Sequence, residues 1–168
     1  MADTSVAIPL GVLASTPATL RALLAGLTEE IISAPADDGW SPRDVVAHLA
    51  SLDPLTLVGR VRAIIDQDQP AITAIDQHDV LERSGMRKRP LTGAIDEMAQ
   101  RRTIALGWLR ELTPQELERT GTHAIVGPLS VTEIIHHKAW HDLLHIQQIS
   151  RMLSKPLDAG SGGMRQFH

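Results

Sequence analysis

Histidines cluster late in the chain, at a spacing that suits metal binding. His137, His141 and His145 follow one another at intervals of four residues, which places them on one side of a helix about one turn apart. At about 100° per residue, His141 and His145 lie on the apolar stripe that carries Ile134 and Ile149, and His137 lies at its edge. Surface histidines can show the same spacing, so their position on the apolar face decides the interpretation.

Two imidazoles on a buried face need a shared partner. Each ring brings nitrogens that lose water on burial, and an unpaired buried polar group costs about 1–3 kcal/mol. A divalent metal supplies the partner, because nitrogens one helical turn apart can meet at one ion. His48 is the candidate third ligand, since it lies on the stripe of Val45 and Leu52 in an earlier helix. A histidine satisfied within the core is the alternative for His48 taken alone.

Few other side chains near the histidines could take part in chemistry. Asp142 is the one carboxylate inside the histidine segment, but it projects about 100° away from His141. We expect Asp142 to support an imidazole by a hydrogen bond rather than to act as a general base, and an exposed acid is the alternative. Arg101 and Arg102 are expected at the solvated surface, with a substrate carboxylate as the alternative contact.

Helical periodicity dominates the elements that must position these residues. The first helix is predicted over residues 17–33, with Thr16 as its N-cap and Pro17 at its first position. The second begins after Ser41, which forms a capping box with Asp44, and continues to about residue 68. Pro54 removes one helical hydrogen bond, which predicts a kink about one turn after His48.

The later segments continue the helical pattern. Residues 69–90 predict a polar connection with one short helix near 79–83, and residues 93–111 predict the third long helix. Thr113 and Glu116 form a capping box that starts a short turn, and Ser130 with Glu133 caps a fourth helix that reaches about residue 153. Four long helices predict an all-α fold, a four-helix bundle in residues 1–156, followed by a flexible glycine-rich tail in residues 157–168.

Composition limits the classes of function. A chain of 168 residues fits one domain, and the absence of cysteine excludes disulfides, thiolate metal ligands and a cysteine nucleophile. A net charge of -4, without a long basic cluster, argues against nucleic acid as a partner. The longest apolar stretches are interrupted by charge and no signal peptide is apparent, so we expect no membrane association and a cytoplasmic location.

Two segments resemble one known family. Residues 39–49 (GWSPRDVVAHL) and residues 141–149 (HDLLHIQQI) are similar to the two histidine motifs of the DinB/YfiT-like family of metal-dependent enzymes, and residues 101–109 match its third helix. The resemblance implies a four-helix bundle in which one histidine of the second helix and two of the fourth hold a divalent metal. The matched positions are His48, His141 and His145. It assigns no role to His136 or His137, and Pro54 departs from the smoother second helix expected of the family.

The resemblance also implies the class of reaction. Three neutral imidazoles leave coordination positions open, as in catalytic metal sites, and they accept zinc, nickel, iron or manganese. The family transfers low-molecular-weight thiols such as bacillithiol or mycothiol to electrophiles, and other members are labelled hydrolases. We expect thiol transfer to a small-molecule substrate first, hydrolysis with metal-activated water second, and a non-catalytic metal-binding dimer third. A homodimer is expected from the resemblance and from Leu143 on the outer side of the fourth helix.

Overall fold

The computed structural model describes residues 4–167, which fold as a four-helix bundle and confirm the predicted fold class. The long helical segments are α1 (Ala7–Leu24), α3 (Pro42–Asp53) with its continuation α4 (Arg60–Asp66), α6 (Leu91–Leu109) and α8 (Val131–Gly160). The short helices between them are α2 (Glu29–Ser33), α5 (Gln77–Ser84) and α7 (Pro114–Glu118). Both α1 and α3 pack against α6 and α8, so the two predicted histidine segments lie on neighbouring helices.

The first helix differs from its sequence prediction. α1 begins well before Pro17, which therefore lies inside the helix, and Thr16 is not an N-cap. The helix stops before Gly26, which adopts a left-handed conformation with φ of 75°, and Thr28 then caps the separate helix α2. The prediction failed because proline is tolerated inside a helix when the carbonyl four residues earlier, here that of Leu13, finds another donor.

The second helix begins as the sequence predicts. The Ser41 hydroxyl accepts from the Asp44 backbone N–H at 3.2 Å, and the Asp44 carboxylate accepts from the Ser41 N–H at 2.9 Å. The predicted disturbance at Pro54 takes the form of a π-helical segment, Pro54–Gly59, which joins α3 to α4 without a break. α4 ends at Asp66, two residues before the predicted end.

The later helices follow their predictions with one extension. A short helix, α5, lies in the polar connection, and the capping boxes of Thr113 and Ser130 start α7 and α8. α8 runs past the predicted end at residue 153, through Pro156 to Gly160, and a 3-10 turn at Gly162–Phe167 follows. The division into a domain at 1–156 and a flexible tail at 157–168 stays a prediction, although α8 continues across that boundary.

A small three-stranded sheet that the sequence did not predict lies at one end of the bundle. β1 (Ala71–Ile72) pairs in parallel with β2 (Thr120–His123), and β2 pairs antiparallel with β3 (Gly127–Ser130). The strands are two and four residues long and do not alternate apolar with polar side chains, so no pattern of period two was there to detect. The sheet pairs Thr120 with Ser130, the residue before α8, and pairs His123 with Gly127 at the other end of β3.

Gly121 on β2 lies against backbone that cannot move freely. A Cβ there would stand 3.0 Å from the carbonyl oxygen of Pro70, which also accepts a hydrogen bond of 2.9 Å from the Thr122 N–H. We expect Gly121→Ala to lower the free energy of unfolding by about 1–3 kcal/mol through overpacking. Gly107→Ala, inside α6 with open space around it, should instead raise it by about 0.5–1 kcal/mol. Urea unfolding of both variants measures the difference, and equal effects would contradict the close contact.

The apolar core forms two clusters along the bundle. All four long segments contribute to the first cluster, which includes Leu13, Leu57, Leu106 and Ala139 together with neighbours near the sheet. All four also contribute to the second cluster, which includes Leu20, Leu49, Met98 and Ile149. On every long segment a stretch of chain therefore lies between the two clusters, and those four stretches meet in the middle of the bundle.

α1 is the one described helix that is long and apolar enough to cross a membrane by length and composition, with a mean hydropathy of 1.4. Leu13 and Leu20 of this helix are fully buried in the two core clusters, whereas Ile8 is exposed. One side of α1 therefore forms part of the core. The cytoplasmic location stays a prediction.

Candidate metal centre

His48 reaches the bundle interior from α3. The capping box at Ser41 fixes the start of this helix, and the ring of Trp40 meets the His48 ring edge-on at a centroid distance of 5.3 Å. The His48 side chain is buried, with 3% of its surface exposed. Trp40 therefore acts as a packing residue against the histidine rather than as an open substrate contact.

His141 and His145 reach the same point from α8. The Nε2 atom of His141 lies 3.4 Å from that of His48 and 3.2 Å from that of His145. The three rings together offer one ligand nitrogen each within 4.8 Å of one another. The structure thus brings together the three histidines predicted from the sequence.

The three imidazoles are held neutral. Burial lowers the pKa of His48 to about 3, helped by the charges of His145 and Lys138, and burial with Lys138 lowers the pKa of His141 to about 2. Burial also holds the pKa of His145 below its ordinary value, although the hydrogen bond that His145 makes to the Gln148 side chain acts in the opposite direction and raises it. Neutral imidazole is the form that binds a metal, so no proton has to leave these rings near pH 7.

A chain of two hydrogen bonds determines which ring nitrogen of His145 carries the proton. The Gln148 side-chain N–H2 donates to Asp38 at 2.9 Å, which turns the Gln148 oxygen towards His145. The Nδ1 of His145 lies 2.8 Å from that oxygen and must donate to it, because an amide oxygen only accepts. The lone pair of His145 is then on Nε2, which faces the other two rings. The sequence contained Gln148 but gave no sign of its partner Asp38.

We expect Gln148→Leu to weaken divalent metal binding by about 10–100-fold, because His145 loses the acceptor that fixes its tautomer. Gln148→Glu keeps an acceptor at that position and should retain most of the affinity. Gln147→Leu is the matched control, since Gln147 is exposed on the same helix. Competition with a chromogenic zinc chelator measures all three variants. Equal affinities for the Gln148→Leu variant and the parent would show that the chain does not position His145.

The donor set fits a divalent cation. The Nδ1 atoms of His48 and His141 are buried without a hydrogen-bond partner among the described residues, and their Nε2 atoms face each other. A proton on one Nε2 can join two of the rings by a hydrogen bond, but lone pairs on all three Nε2 atoms would set partial negative charges against one another. A cation between the rings removes that repulsion, because each lone pair then becomes a ligand.

Asp142 does not have the position predicted for it. It is fully buried, not an exposed acid, and within the described residues neither of its oxygens contacts an imidazole. Both oxygens accept from the guanidinium of Arg102, one of them at 3.1 Å, and the Lys138 ammonium lies 3.6 Å away. The prediction failed because it considered only the residues of α8, whereas the partner of Asp142 is Arg102 of α6. The prediction that Arg102 lies at the surface is wrong as well, because it took no account of the carboxylates on the neighbouring helices.

Arg102 is the centre of a buried ionic network. Its guanidinium also donates to both oxygens of Asp53, at 2.5 and 2.9 Å, and Lys138 lies 2.9 Å from the same carboxylate. Two positive and two negative groups thus balance. Arg102 further donates at 3.0 Å to the Leu13 carbonyl, which Pro17 leaves without its helical partner. The network joins α1, α3, α6 and α8 between the two core clusters, and so fixes His48 opposite His141.

The remaining described histidines lie outside the cluster. His137 is nearest, with its ring centroid 6.1 Å from that of His141, but it is not one of the three converging residues. The Nε2 of His136 donates to the Ser5 carbonyl at 3.0 Å on the surface, and His123 lies on β2. His168 is outside the described residues. Nothing in the geometry adds a fourth histidine.

Two cavities reach the cluster. One of about 410 Å³ is lined by His141 and by residues of α4 and β2, and its walls combine apolar side chains with Arg60, His123 and His137. The other, of about 490 Å³, reaches His141 and His145 beside Asp38 and Gln148. A small molecule therefore has room next to His141 and His145, as a catalytic site requires.

The chain is similar to a known protein family and to several named proteins. The model of a family described as the DinB superfamily matches residues 13–149, a range that includes all three histidines. Two proteins of Oceanobacillus iheyensis, each named "putative metal-dependent hydrolase", are 26% and 27% identical over 128 residues, covering 76% and 75% of this chain and 73% and 72% of their own lengths.

A third protein of the same name, YfiT of Bacillus subtilis, is 25% identical over 143 residues, covering 84% of this chain and 80% of its own length. Its solved structure, described as having an unusual four-helix bundle topology, superposes with a TM-score of 0.81 at 23% identity and covers 90% of this chain and 87% of that one. This likeness shows a common fold.

Proposed function

Because this chain belongs to the DinB superfamily, we propose that it is a metal-dependent enzyme that transfers a low-molecular-weight thiol of the bacillithiol or mycothiol type to an electrophilic small molecule. The observation that carries the proposal is the convergence of three neutral imidazoles, from His48, His141 and His145, next to a cavity. Three protein ligands leave positions free for a reactant, whereas a structural site closes all four.

The proposed reaction needs a nucleophile that the chain itself does not provide. There is no cysteine, so the sulfur comes from the co-substrate. A divalent metal on the three imidazoles would favour the thiolate form of that co-substrate near neutral pH. The sulfur then forms a bond to the electrophilic carbon, the leaving group departs with its electron pair, and the thiol proton passes to solvent.

The carboxylates near the cluster already accept hydrogen bonds or form ion pairs with other groups, which favours thiol transfer over hydrolysis. Asp53 and Asp142 are paired with Arg102 and Lys138. The Asp38 carboxylate accepts from the Trp40 N–H and from Gln148, and the Glu133 carboxylate accepts from Ser130 as part of the α8 cap. A hydrolase generally needs a group that delivers a proton to the leaving oxygen or nitrogen. A thiolate displacing a good leaving group has no such requirement.

Metal-dependent hydrolysis is the second candidate, favoured by the names of the three relatives. The same imidazoles would hold the metal, and water would replace the thiol as the nucleophile. The two candidates share the site and differ in one reactant. They are therefore separated by whether turnover requires a thiol.

The deciding experiment incubates metal-loaded and metal-stripped protein with bacillithiol, mycothiol or glutathione and a panel of electrophiles, and follows conjugates by mass. We expect conjugates only with metal and thiol together, lost in His145→Ala and retained in the surface control His136→Ala. Turnover without thiol that His145→Ala abolishes would establish the hydrolase. Absence of any metal-dependent turnover would favour a non-catalytic metal-binding dimer.

The homodimer itself stays a prediction. Trp140, Leu143 and Leu144 are exposed on α8, with 57%, 49% and 41% of their surfaces accessible, which leaves an apolar face on that helix. A dimer would cover this face. Light scattering at micromolar concentration tests it, and a monomer there would remove the prediction.

A further inference from the structure

The cavity of about 410 Å³ beside His141 has a strongly basic wall that the metal cluster does not use. Arg60 of α4 and His123 of β2 both line it, and the Nη2 of Arg60 lies 3.3 Å from the Nε2 of His123. This pair is separate from the three converging histidines. The position of the His123 proton decides whether this contact is a hydrogen bond.

The proton of His123 is fixed by the turn that follows β2. The backbone N–H of Ile125 donates to Nδ1 of His123 at 3.2 Å, so Nδ1 carries the lone pair and the neutral ring carries its proton on Nε2. The Nε2–H then faces the Nη2–H of Arg60, and two donors meet without an acceptor. An oxygen atom beside the two nitrogens could accept a hydrogen bond from both.

A further donor on Arg60 is also without a partner. The Nε–H of Arg60 is buried, and among the described residues it has no hydrogen-bond partner. Burial lowers the pKa of Arg60 with no carboxylate acting against it, although guanidinium stays charged at neutral pH. A partly buried cation without a counter-ion has lost some of its hydration, and an anion that arrives with the substrate would replace it.

The other charged groups of this cavity do not supply the missing acceptor. The Lys138 ammonium is held by Asp53 and Asp142, and Glu133 accepts from Ser130 through its carboxylate at the start of α8. His137 is a neutral imidazole, since burial holds its pKa below the ordinary value, with Arg60 and Lys138 acting in the same direction. Arg60 is therefore the unpaired charge of the wall.

We propose that this wall binds a carboxylate or phosphate group of a small molecule, with Arg60 and His123 as its donors, so that the enzyme acts on an anion. Planar guanidinium donors match the paired oxygens of either group. That the anion belongs to a reactant rests on the proposed function, because the same cavity reaches His141. The anion-binding step itself requires neither metal nor turnover.

Isothermal titration of the full chain with succinate, inorganic phosphate and the uncharged succinamide tests the proposal, with and without zinc. We expect saturable binding of succinate or phosphate and none of succinamide, and the tighter of the two anions identifies the group. Arg60→Gln should weaken this binding by at least about 10-fold, as loss of a charge-assisted hydrogen bond does. Arg62→Gln is the matched control, since Arg62 stacks on Trp108 outside this cavity.

Two further measurements keep the test decisive if Arg60→Gln folds poorly. Arg60→Lys keeps the charge and should bind between the parent and Arg60→Gln, and the Nε2–H resonance of His123 in the parent should shift on titration with the anion. Equal affinity of Arg60→Gln and the parent, or of succinamide and succinate, overturns the proposal. Anion binding without turnover would contradict only the proposed reaction. Thiol transfer without anion binding would contradict only this inference.

Discussion

Replacement of His141 by alanine is expected to remove the metal from the protein. The parent should carry close to one divalent ion per chain, because three Nε2 atoms converge from His48, His141 and His145. His141 is itself one of the three ligands, so its loss should weaken metal binding by more than the 10–100-fold that follows from disturbing only a hydrogen bond behind a ligand, on the order of 1,000-fold or more. His48→Ala and His145→Ala should behave alike. Elemental analysis of the purified variants measures this.

Thermal unfolding supplies a second measurement of the same loss. A metal present at 100 times its Kd stabilises the folded parent by about 2.7 kcal/mol, and the His141→Ala variant should gain almost none of this. In excess chelator the difference between the two proteins should shrink, because neither then holds metal. A large difference that persists in chelator would instead indicate a packing defect.

Matched controls come from histidines outside the cluster. His136→Ala and His123→Ala should leave metal content unchanged, because one side chain binds the Ser5 carbonyl at the surface and the other lies on β2. His137→Ala tests the neighbouring ring directly. Metal lost from any of these three variants, or full occupancy in His141→Ala, would place the ion elsewhere.

The histidine cluster could be predicted from sequence because its signal is local. His141 and His145 are one helical turn apart on an apolar stripe, and His48 interrupts a second stripe. The periodicity of each helix therefore shows a histidine where an aliphatic side chain is expected. The capping boxes at Ser41 and Ser130 are local in the same way, which is why both helix starts were predicted correctly.

The features that the sequence did not reveal depend on contacts between distant segments. Asp142 and Lys138 share a helix, but their partner Arg102 lies 40 residues from Asp142 in the chain. A proline such as Pro17 is typical of the first turn of a helix, so the local pattern predicts a helix start there. α1 continues through Pro17 because Arg102 donates a hydrogen bond to the Leu13 carbonyl. Arg60 and His123 are 63 residues apart and come together through the undetected sheet.

Arg102→Met is expected to lower the free energy of unfolding by about 3–5 kcal/mol at pH 7, since it leaves a net negative charge on Asp53, Asp142 and Lys138 in the middle of the bundle. A loss of that size is a large part of the 5–15 kcal/mol by which domains are typically stable. Arg101→Met is the matched control: Arg101 is 41% exposed and pairs with Glu97, so it should cost at most about 1 kcal/mol.

The pH dependence of this loss identifies its electrostatic origin. Burial alone would raise the pKa of Asp53, but Lys138 and Arg102 more than offset it and hold the pKa below its ordinary value of 3.8. In the parent the stabilisation is therefore complete above pH 3.8 and is lost as pH falls through the lower folded-state pKa. Without Arg102, burial acts against a weaker attraction, so the Asp53 pKa rises and protonation relieves the stranded charge.

The difference between Arg102→Met and the parent should thus be largest near pH 7 and should narrow as the pH approaches 4. Arg102→Met combined with Asp142→Leu removes one charge of each sign and leaves the Asp53–Lys138 pair, which should restore part of the stability. Urea unfolding across this pH range measures all three proteins. A deficit that stays constant with pH, or a double variant that is no more stable than the single one, would mean that Arg102 acts through packing alone.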